Sequence, residues 1–166
     1  KDYSDEIRGV EFSENIQYED LQRAAISACL TGSVFILTGG PGTGKTTTLN
    51  GVIKILKAQK KRILLCAPTG RAAKRMSDLT GEPARTIHRL LEVDFTAKGE
   101  LKFKRNETNP LPADVVIADE MSMVDALLMC SLVRAIKPTS KSASVRRRRK
   151  RAERSYSVTL YSVSGA

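Results

Sequence analysis

The amino-acid sequence predicts an α/β fold in which helices flank a parallel sheet. Three short runs of consecutive apolar residues, at 34–37, 63–67 and 115–118, are typical of strands that are buried on both faces. Segments with the apolar spacing of helices lie between these runs, and this alternation favours parallel pairing. In such a sheet, functional groups are expected at the carboxyl ends of the strands.

The helices of the first half are predicted from their apolar stripes. A helix before the first strand is expected to bury residues at helical spacing, namely Leu21, Ala24, Ala25, Ala28 and Cys29. After a glycine-rich turn, a second helix presents one apolar face made of Leu49, Val52, Ile53 and Leu56. The second strand ends at Pro68–Gly70, which opens a short third helix.

The second half begins with Thr86, which is expected to cap another short helix. Residues 95–103 alternate in polarity around Lys98–Gly99 and predict a hairpin. The third strand ends at Asp119–Glu120, and an apolar stripe over 124–136 predicts the last helix.

The composition suits one ordinary domain, since the chain has 166 residues of which 41% are hydrophobic. No apolar run approaches the ~18 residues that a membrane span needs, and the polar first residues are unlike a signal peptide. We therefore expect no membrane association. Three cysteines, odd in number and far apart, predict free thiols in a reducing cytoplasm rather than a disulfide framework or a zinc pair.

The net charge of +10 is concentrated at one end of the chain. Residues 139–166 contain eight Lys or Arg and one acidic residue, whereas residues 1–138 carry only +3. We therefore predict a polar lead-in at 1–15, a folded domain at 16–138 and a basic, Ser/Arg-rich tail at 139–166 that is disordered.

The segment 39–46 matches the phosphate-binding pattern G-x-x-x-x-G-K-[ST], and it lies between a predicted strand and a predicted helix. Glycines let the backbone N–H groups surround an anion, and the helix that follows adds its N-terminal dipole. Lys45 is expected to reach the β- and γ-phosphates of ATP, and the Thr46 hydroxyl to bind Mg2+. We assign nucleotide binding to Gly39, Gly40, Pro41, Gly42, Thr43, Gly44, Lys45, Thr46 and Thr47.

The acidic pair Asp119–Glu120 stands where such a phosphate loop requires its partner site. Asp119 is expected to hold the Mg2+ shell, and Glu120 to act as the base that polarises water, which favours a hydrolase over a small-molecule kinase. We interpret Asp125 as a surface or helix-turn charge rather than a second metal ligand.

Over residues 16–138 the sequence resembles the RecD-like DNA helicases of superfamily 1. The segment 37–48 looks like that family's Walker A motif, and 67–73 looks like motif Ia, which contacts single-stranded DNA. Gln22 resembles the Q-motif glutamine, whose side chain reads adenine. Similarity continues through 84–91, 109–111 and 119–125.

The resemblance implies a RecA-like motor domain that couples ATP hydrolysis to 5′–3′ movement on single-stranded DNA, at duplex ends. It implies DNA contacts from Thr69, Gly70, Arg71 and His88. On spacing alone, Gln22 can equally be an exposed helix residue and His88 a structural histidine. Likewise Thr69 and Arg71 can simply end a strand and cap a helix.

The resemblance stops after residue 138, so the predicted sheet is incomplete on its C-terminal side. The family's next strand and its second RecA-like domain, which supplies arginine fingers, have no counterpart in this sequence. Codons for the family's Gly-Asp-Ala and Pro-Ser-Val, read one base early, would give Arg146–Arg148 and Ala152–Arg154 at the same spacing. We therefore consider the tail an out-of-frame reading, with a native basic nucleic-acid-binding tail as the alternative.

We predict that the chain is the ATP-binding portion of a DNA helicase and that it does not unwind DNA alone. Two alternatives stay open. One is another P-loop ATPase of the AAA+ type, against which 67–73 argues. The other is a non-catalytic nucleic-acid-binding protein that acts through its basic tail.

Overall fold

The computed structural model describes residues 2–40, 42–95, 99, 101–136 and 157–161. Its first half contains helices α1 (Ser4–Glu14) and α2 (Asp20–Thr31), strand β1 (Val34–Leu37), helix α3 (Lys45–Ala58), strand β2 (Ile63–Ala67) and helix α4 (Gly70–Thr80). Its second half contains β3 (Ala84–Thr86), α5 (Ile87–Leu91), β4 (Val93–Phe95), β5 (Leu101–Phe103), β6 (Val115–Ala118), α6 (Ala126–Ala135) and β7 (Ser157–Tyr161). A 3-10 turn, Met121–Met123, follows β6.

The main sheet has the strand order β1-β7-β6-β2-β3, and all of its neighbouring strands pair in parallel. The sequence-based prediction of an α/β fold with a parallel sheet is therefore confirmed. Strands β4 and β5 form a separate antiparallel hairpin, as the polarity alternation indicates. Thr86 caps α5 as predicted, because its hydroxyl accepts a hydrogen bond of 3.2 Å from the Arg89 N–H. Lys98 lies outside the described residues.

Strand β6 lies at the centre of the core, and all four of its residues are buried. Val115 and Ile117 belong to the cluster that includes residues of α1, α2 and α3, whereas Val116 and Ala118 belong to the cluster with α5 and α6. Successive side chains of a strand point to opposite faces, so helices cover β6 on both sides. This burial on both faces accounts for an apolar run without alternation.

Two features of the N-terminal part differ from the sequence-based expectations. Residues 4–14 of the polar lead-in form α1, which buries Ile7. In α2 the apolar stripe is wrong, since Leu21 is 85% exposed while Ile26 and Cys29 are buried. The face of α2 that packs against α3 is displaced by one residue from the predicted face. Apolar residues follow helical spacing on both faces, so the spacing alone does not distinguish them.

Strand β1 was expected to be buried on both faces, and this expectation is wrong. Val34 and Ile36 are 62% and 60% exposed, although Phe35 and Leu37 pack against the core. Exposure alternates along the strand, so only the face that carries Phe35 and Leu37 is covered by the core, on the side where α2 packs. Which faces of a strand are covered depends on topology, which the apolar run does not encode.

The predicted disorder of the tail is wrong for residues 157–161, which form β7 between β1 and β6. The segment Ser157–Tyr161 is rich in residues that favour strands, and β1 and β6 each offer it a row of backbone hydrogen-bonding groups. The other tail residues, including Arg146–Arg148 and Ala152–Arg154, lie outside the described residues.

Candidate nucleotide-binding site

Parallel pairing brings the carboxyl ends of the strands to one edge of the main sheet. The glycine-rich loop 39–44 follows β1, the pair Asp119–Glu120 follows β6, and Pro68–Thr69 follows β2. The segments that carry the predicted chemistry therefore meet at the same edge, as expected for a parallel α/β sheet.

The loop before α3 has the backbone conformation that its glycines allow. Gly42 and Gly44 have φ angles of +74° and +71°, in the left-handed region that side chains disfavour. A Cβ at Gly39 would lie only 2.8 Å from Thr43 Oγ1, and that hydroxyl donates a hydrogen bond of 3.0 Å to the Gly40 carbonyl. The loop is thus folded tightly on itself. Pro41 lies outside the described residues.

Lys45 is the first residue of α3, and its side chain is only 8% exposed. Its Nζ donates hydrogen bonds to the carbonyl oxygens of Gly39 and Gly40, so the ammonium lies inside the curve of the loop. Thr46 is half-buried and Thr47 is exposed at the start of the same helix. A buried ammonium at a helix N-terminus, enclosed by a glycine-rich loop, is an arrangement suited to binding phosphate.

Gln22 lies next to this loop, although it belongs to α2. Its Oε1 accepts a hydrogen bond of 3.0 Å from the Glu19 N–H, which forms a capping box at the start of α2. Its Nε2 faces the Gly44 carbonyl at 3.5 Å. The structure therefore brings Gln22 to the loop, where its amide is engaged at both ends.

Asp119 and Glu120 are both half-buried at the end of β6. The Asp119 N–H donates to the Cys66 carbonyl at 3.0 Å, and Asp119 Oδ1 accepts from the Glu120 N–H at 2.7 Å. Burial raises the pKa of Asp119, while the positive charges of Arg75 and Lys45 act in the opposite direction. Asp119 therefore lies within electrostatic reach of Lys45, which joins the loop and the acidic pair into one site.

The donor chemistry of this site fits Mg2+. The Thr46 hydroxyl and the Asp119 carboxylate are hard oxygen donors, and Mg2+ is usually held by one or two carboxylates together with substrate phosphates and water. Among the described residues, no group of three His, Cys, Asp or Glu side chains forms a protein-only metal cage. The residues at this edge therefore fit a metal ion that arrives with a nucleotide.

The residues predicted to contact DNA occupy the starts of α4 and α5. Thr69 Oγ1 accepts a hydrogen bond of 3.2 Å from the Ala72 N–H and so caps α4, while Gly70 and Arg71 are exposed in its first turn. His88 is exposed on α5, and its ring centroid lies 5.9 Å from that of Phe103. Thr69 and His88 thus have structural roles, and a role in DNA contact stays a prediction for all four residues.

Arg75 was not among the residues predicted for this site. Arg75 is exposed on α4, and its positive charge acts on Asp119. The available signal was its position four residues after Arg71, which puts both side chains on neighbouring turns of one helix face. Asp125 agrees with its predicted helix-turn role, since its Oδ1 accepts from the Leu128 N–H at 2.8 Å and caps α6.

Residues 22–145 match the model of the AAA_19 family, which is described as an AAA domain. The chain is 42% identical over 118 residues to the ATP-dependent RecD2 DNA helicase of Deinococcus radiodurans, a match that covers 70% of this chain and 16% of the relative. It is 37% identical over 145 residues to the RecBCD enzyme subunit RecD of Mycolicibacterium smegmatis, covering 72% of this chain and 26% of the relative. The chain therefore spans about a sixth to a quarter of the length of these curated relatives.

Solved structures of Pif1 helicases have a similar fold. One, described as the structural basis for DNA unwinding at forked double-stranded DNA by two coordinating Pif1 helicases, has a TM-score of 0.58 at 20% identity over 89% of this chain and 34% of that chain. Another, Bacteroides sp Pif1 in complex with ADP-AlF4, has a TM-score of 0.56 at 20% identity, over 89% of this chain and 32% of that chain. These likenesses support a RecA-like P-loop fold. Within the described part of the chain, no helix has both the length and the apolar character needed to cross a membrane.

Proposed function

Because this chain belongs to the AAA_19 family of AAA domains and is similar to RecD-like helicases, we propose that it is the ATP-binding motor portion of a DNA helicase. The proposed activity is ATP hydrolysis coupled to translocation on single-stranded DNA, 5′ to 3′ by the family resemblance. The parent protein would work at duplex ends in a bacterial-type cytoplasm. The names of the relatives, a helicase and RecBCD subunits, favour this function over that of an AAA+ ATPase.

The observation that carries the proposal is the buried ammonium of Lys45. Its Nζ lies among the carbonyls of the glycine-rich loop at the start of α3, and its charge acts on Asp119 across the end of the sheet. A buried cation at a helix N-terminus is arranged to bind an anion, and a nearby carboxylate is arranged to hold the accompanying metal.

Within this site we assign each side chain one role. Lys45 binds the β- and γ-phosphates, and the loop N–H groups orient them. Thr46 and Asp119 would hold Mg2+, which neutralises phosphate charge when bound. Glu120 is the base that accepts a proton from the attacking water, and its φ of +54° turns its backbone at the end of β6. Gln22 reads adenine once its capping contacts are exchanged for the base.

The DNA-binding role is proposed for the exposed starts of α4 and α5. The exposed Arg71 guanidinium on α4 is a donor for DNA phosphates, and the exposed His88 on α5 is a second donor. We expect this chain alone to hydrolyse ATP poorly and not to unwind duplexes. An arginine finger contributes ~10³–10⁵ in rate, and we assign none to this chain.

The nucleotide site is tested by titration with a fluorescent ATP analogue in the presence of Mg2+. Lys45→Ala is expected to weaken binding at least about tenfold, because it removes the charge-assisted hydrogen bonds to phosphate. Lys57→Ala is the matched control, since Lys57 lies on the same helix and pairs with Glu82 on the surface. Equal affinities of the two variants would contradict the assignment of the loop.

A second candidate function is nucleic-acid binding by the tail, because residues 139–166 carry a net charge of +7. Deleting the whole tail would also remove β7 from the sheet, so neutralising Arg146–Arg149 with glutamine is the better test. If single-stranded DNA binding is lost while ATP-analogue affinity is unchanged, the tail is the DNA-binding element. If DNA binding is kept, the starts of α4 and α5 remain the proposed contact.

A further inference from the structure

A set of polar contacts joins the C-terminal half of α1 to the start of α2. Glu11 Oε1 accepts a hydrogen bond of 2.8 Å from the Tyr18 N–H, and the same oxygen lies 2.9 Å from Arg23 Nη2. Arg23 Nε in turn donates to the Tyr18 carbonyl at 3.2 Å. The Glu11–Arg23 pair therefore holds both backbone polar groups of Tyr18, in the turn that leads into α2.

The side chain of Tyr18 fixes the same turn to α3. It is only 3% exposed, and a Cβ at Gly51 would overlap its hydroxyl oxygen, so it packs directly against the backbone of α3. The Glu11 side chain is 11% exposed, and water screens such a partly enclosed ion pair less than a surface pair. The turn before α2 is thus fixed by contacts from α1, α2 and α3.

The fixed turn also places the amide of Gln22. Glu19, which follows the fixed tyrosine, donates its N–H to Gln22 Oε1 at 3.0 Å, and Arg23 follows Gln22 directly in the sequence. Gln22 Nε2 faces the Gly44 carbonyl at 3.5 Å, which is longer than an ordinary hydrogen bond. A small shift at the start of α2 therefore changes how this amide meets the phosphate loop.

A glutamine amide matches the hydrogen-bonding groups of adenine better than those of guanine. It offers one donor and one acceptor side by side. Adenine presents the N6 amino donor and the N7 acceptor on one edge, whereas guanine presents two acceptors, N7 and O6. A contact through two such bonds requires an amide that is held within about 0.5 Å of its working position. The selectivity of Gln22 thus depends on the groups that fix its backbone and its amide.

We propose that Glu11 and Arg23 are positioning residues that set the preference of the nucleotide site for adenine over guanine. The pair fixes the turn before α2, and this turn holds the Gln22 amide at the phosphate loop. Neither member of the pair is proposed to touch the nucleotide. The inference rests on the proposed function, because it concerns the base that accompanies the phosphates at Lys45.

The test measures displacement of a fluorescent ATP analogue from the 166-residue chain by ATP, GTP and inorganic tripolyphosphate, in the presence of Mg2+. The original protein is expected to bind ATP roughly 5- to 150-fold more tightly than GTP, the range for one two-bond base contact. Arg23→Met removes the guanidinium but keeps a long apolar side chain, and it should reduce this ratio of affinities at least about threefold. Its affinity for tripolyphosphate should be unchanged, because the phosphate loop is intact.

Three further variants complete the test. Arg8→Met is the matched control, because Arg8 lies on α1 and pairs with Asp5 on the surface, and it should keep the original ratio. Glu11→Gln removes the charge but keeps an oxygen that can accept from the backbone, so it provides the same test in a milder form and should give a smaller reduction. In a Gln22→Ala background, Arg23→Met should leave the ratio unchanged, because the pair acts through the missing amide.

The results separate this inference from the proposed function. A ratio that Arg23→Met does not change, or a further reduction by Arg23→Met in the Gln22→Ala background, would overturn the inference while nucleotide binding stands. Equal losses of affinity for ATP, GTP and tripolyphosphate would also overturn it, because they would mean that the pair only stabilises the fold. If the original protein bound none of the three compounds, the proposed function would fail together with the inference.

Discussion

Replacing Gly44 with alanine is expected to destabilise the protein clearly more than replacing Gly42. Both glycines have positive φ angles, +71° and +74°, so each substitution places a Cβ in the left-handed region. Only at Gly44 would the new Cβ overlap Gln22 Nε2, whereas at Gly42 it meets no atom within 4 Å. The pair of substitutions therefore separates backbone strain from the contact between α2 and the phosphate loop.

The expected magnitudes follow from these two contributions. Left-handed strain costs about 1–2 kcal/mol at either position. At Gly44 the Gln22 side chain must also move away, which breaks the hydrogen bond from the Glu19 N–H in the capping box. Losing this one hydrogen bond of the capping box costs about 1 kcal/mol, so Gly44→Ala should lower the free energy of unfolding by about 2–3 kcal/mol in total.

Urea unfolding of a double-mutant cycle measures the difference. In a Gln22→Ala background, the Cβ of Gly44→Ala no longer overlaps a side chain at position 22. Gly44→Ala should then lower the free energy of unfolding by no more than Gly42→Ala does in the original protein. The coupling free energy between positions 22 and 44 is then about 1 kcal/mol. A coupling of zero would refute the reasoning, because it would mean that Gln22 does not rest on the loop.

Three further substitutions test other parts of the fold. Gly51→Ala should lower the free energy of unfolding by about 1–3 kcal/mol, since its Cβ would overlap the Tyr18 hydroxyl. Urea unfolding should show a smaller loss in a Tyr18→Phe background, and a stabilised Gly51→Ala protein would contradict this packing. Thr69→Ala should lower the free energy of unfolding by about 1 kcal/mol because it removes the cap of α4, whereas Thr69→Ser should keep the cap. Equal stabilities of these two variants in urea unfolding would exclude the cap. The hydrogen bonds from Arg62 hold the pKa of Asp114 below its usual value, so this pair stabilises the fold above about pH 4 and the effect is lost as pH falls through the lowered pKa. Asp114→Asn should thus lower the free energy of unfolding by up to about 1 kcal/mol at neutral pH, and by less as the pH falls through the lowered pKa, as thermal unfolding across the acid range can check.

The parts of the fold that the sequence predicts well are those with local causes. The apolar runs at 63–67 and 115–118 are buried strands, and Thr86 and Asp125 cap the helices that follow them. The loop at 39–46 was found from its glycine and lysine spacing, because that spacing reflects backbone conformations that other residues disfavour.

The parts that were missed have non-local causes. α1 carries few apolar residues, and Ile7 is buried because α2 and α3 pack against the helix. Leu21 and Ile26 lie on different faces of α2, both with helical spacing, and tertiary packing alone decides between them. Val34 lies on the uncovered face of β1, and which faces of a strand are covered depends on how distant segments of the chain pack.

The candidate site was predictable in its motifs but not in its connections. The pattern of residues identifies Lys45 and Asp119 as partners, yet it does not show that the charge of Arg75, on α4, acts on Asp119. The contact of Gln22 with Gly44 joins α2 to the phosphate loop before α3. The two residues are 22 positions apart in sequence, and only folding brings them together.

The hydrogen bonds of Lys45 to its own loop have a consequence for the choice among anions. Nucleotide binding at this site is a substitution reaction, in which phosphate oxygens replace the carbonyl oxygens of Gly39 and Gly40 as acceptors. The number of hydrogen bonds to the ammonium need not increase, so the net gain comes from exchanging neutral acceptors for charged ones. An anion with one diffuse charge, such as chloride, gains little from that exchange. A polyphosphate gains much more binding free energy from the exchange. The carbonyls of Gly39 and Gly40 therefore compete with anions for the Lys45 ammonium, and only an anion of high charge density displaces them.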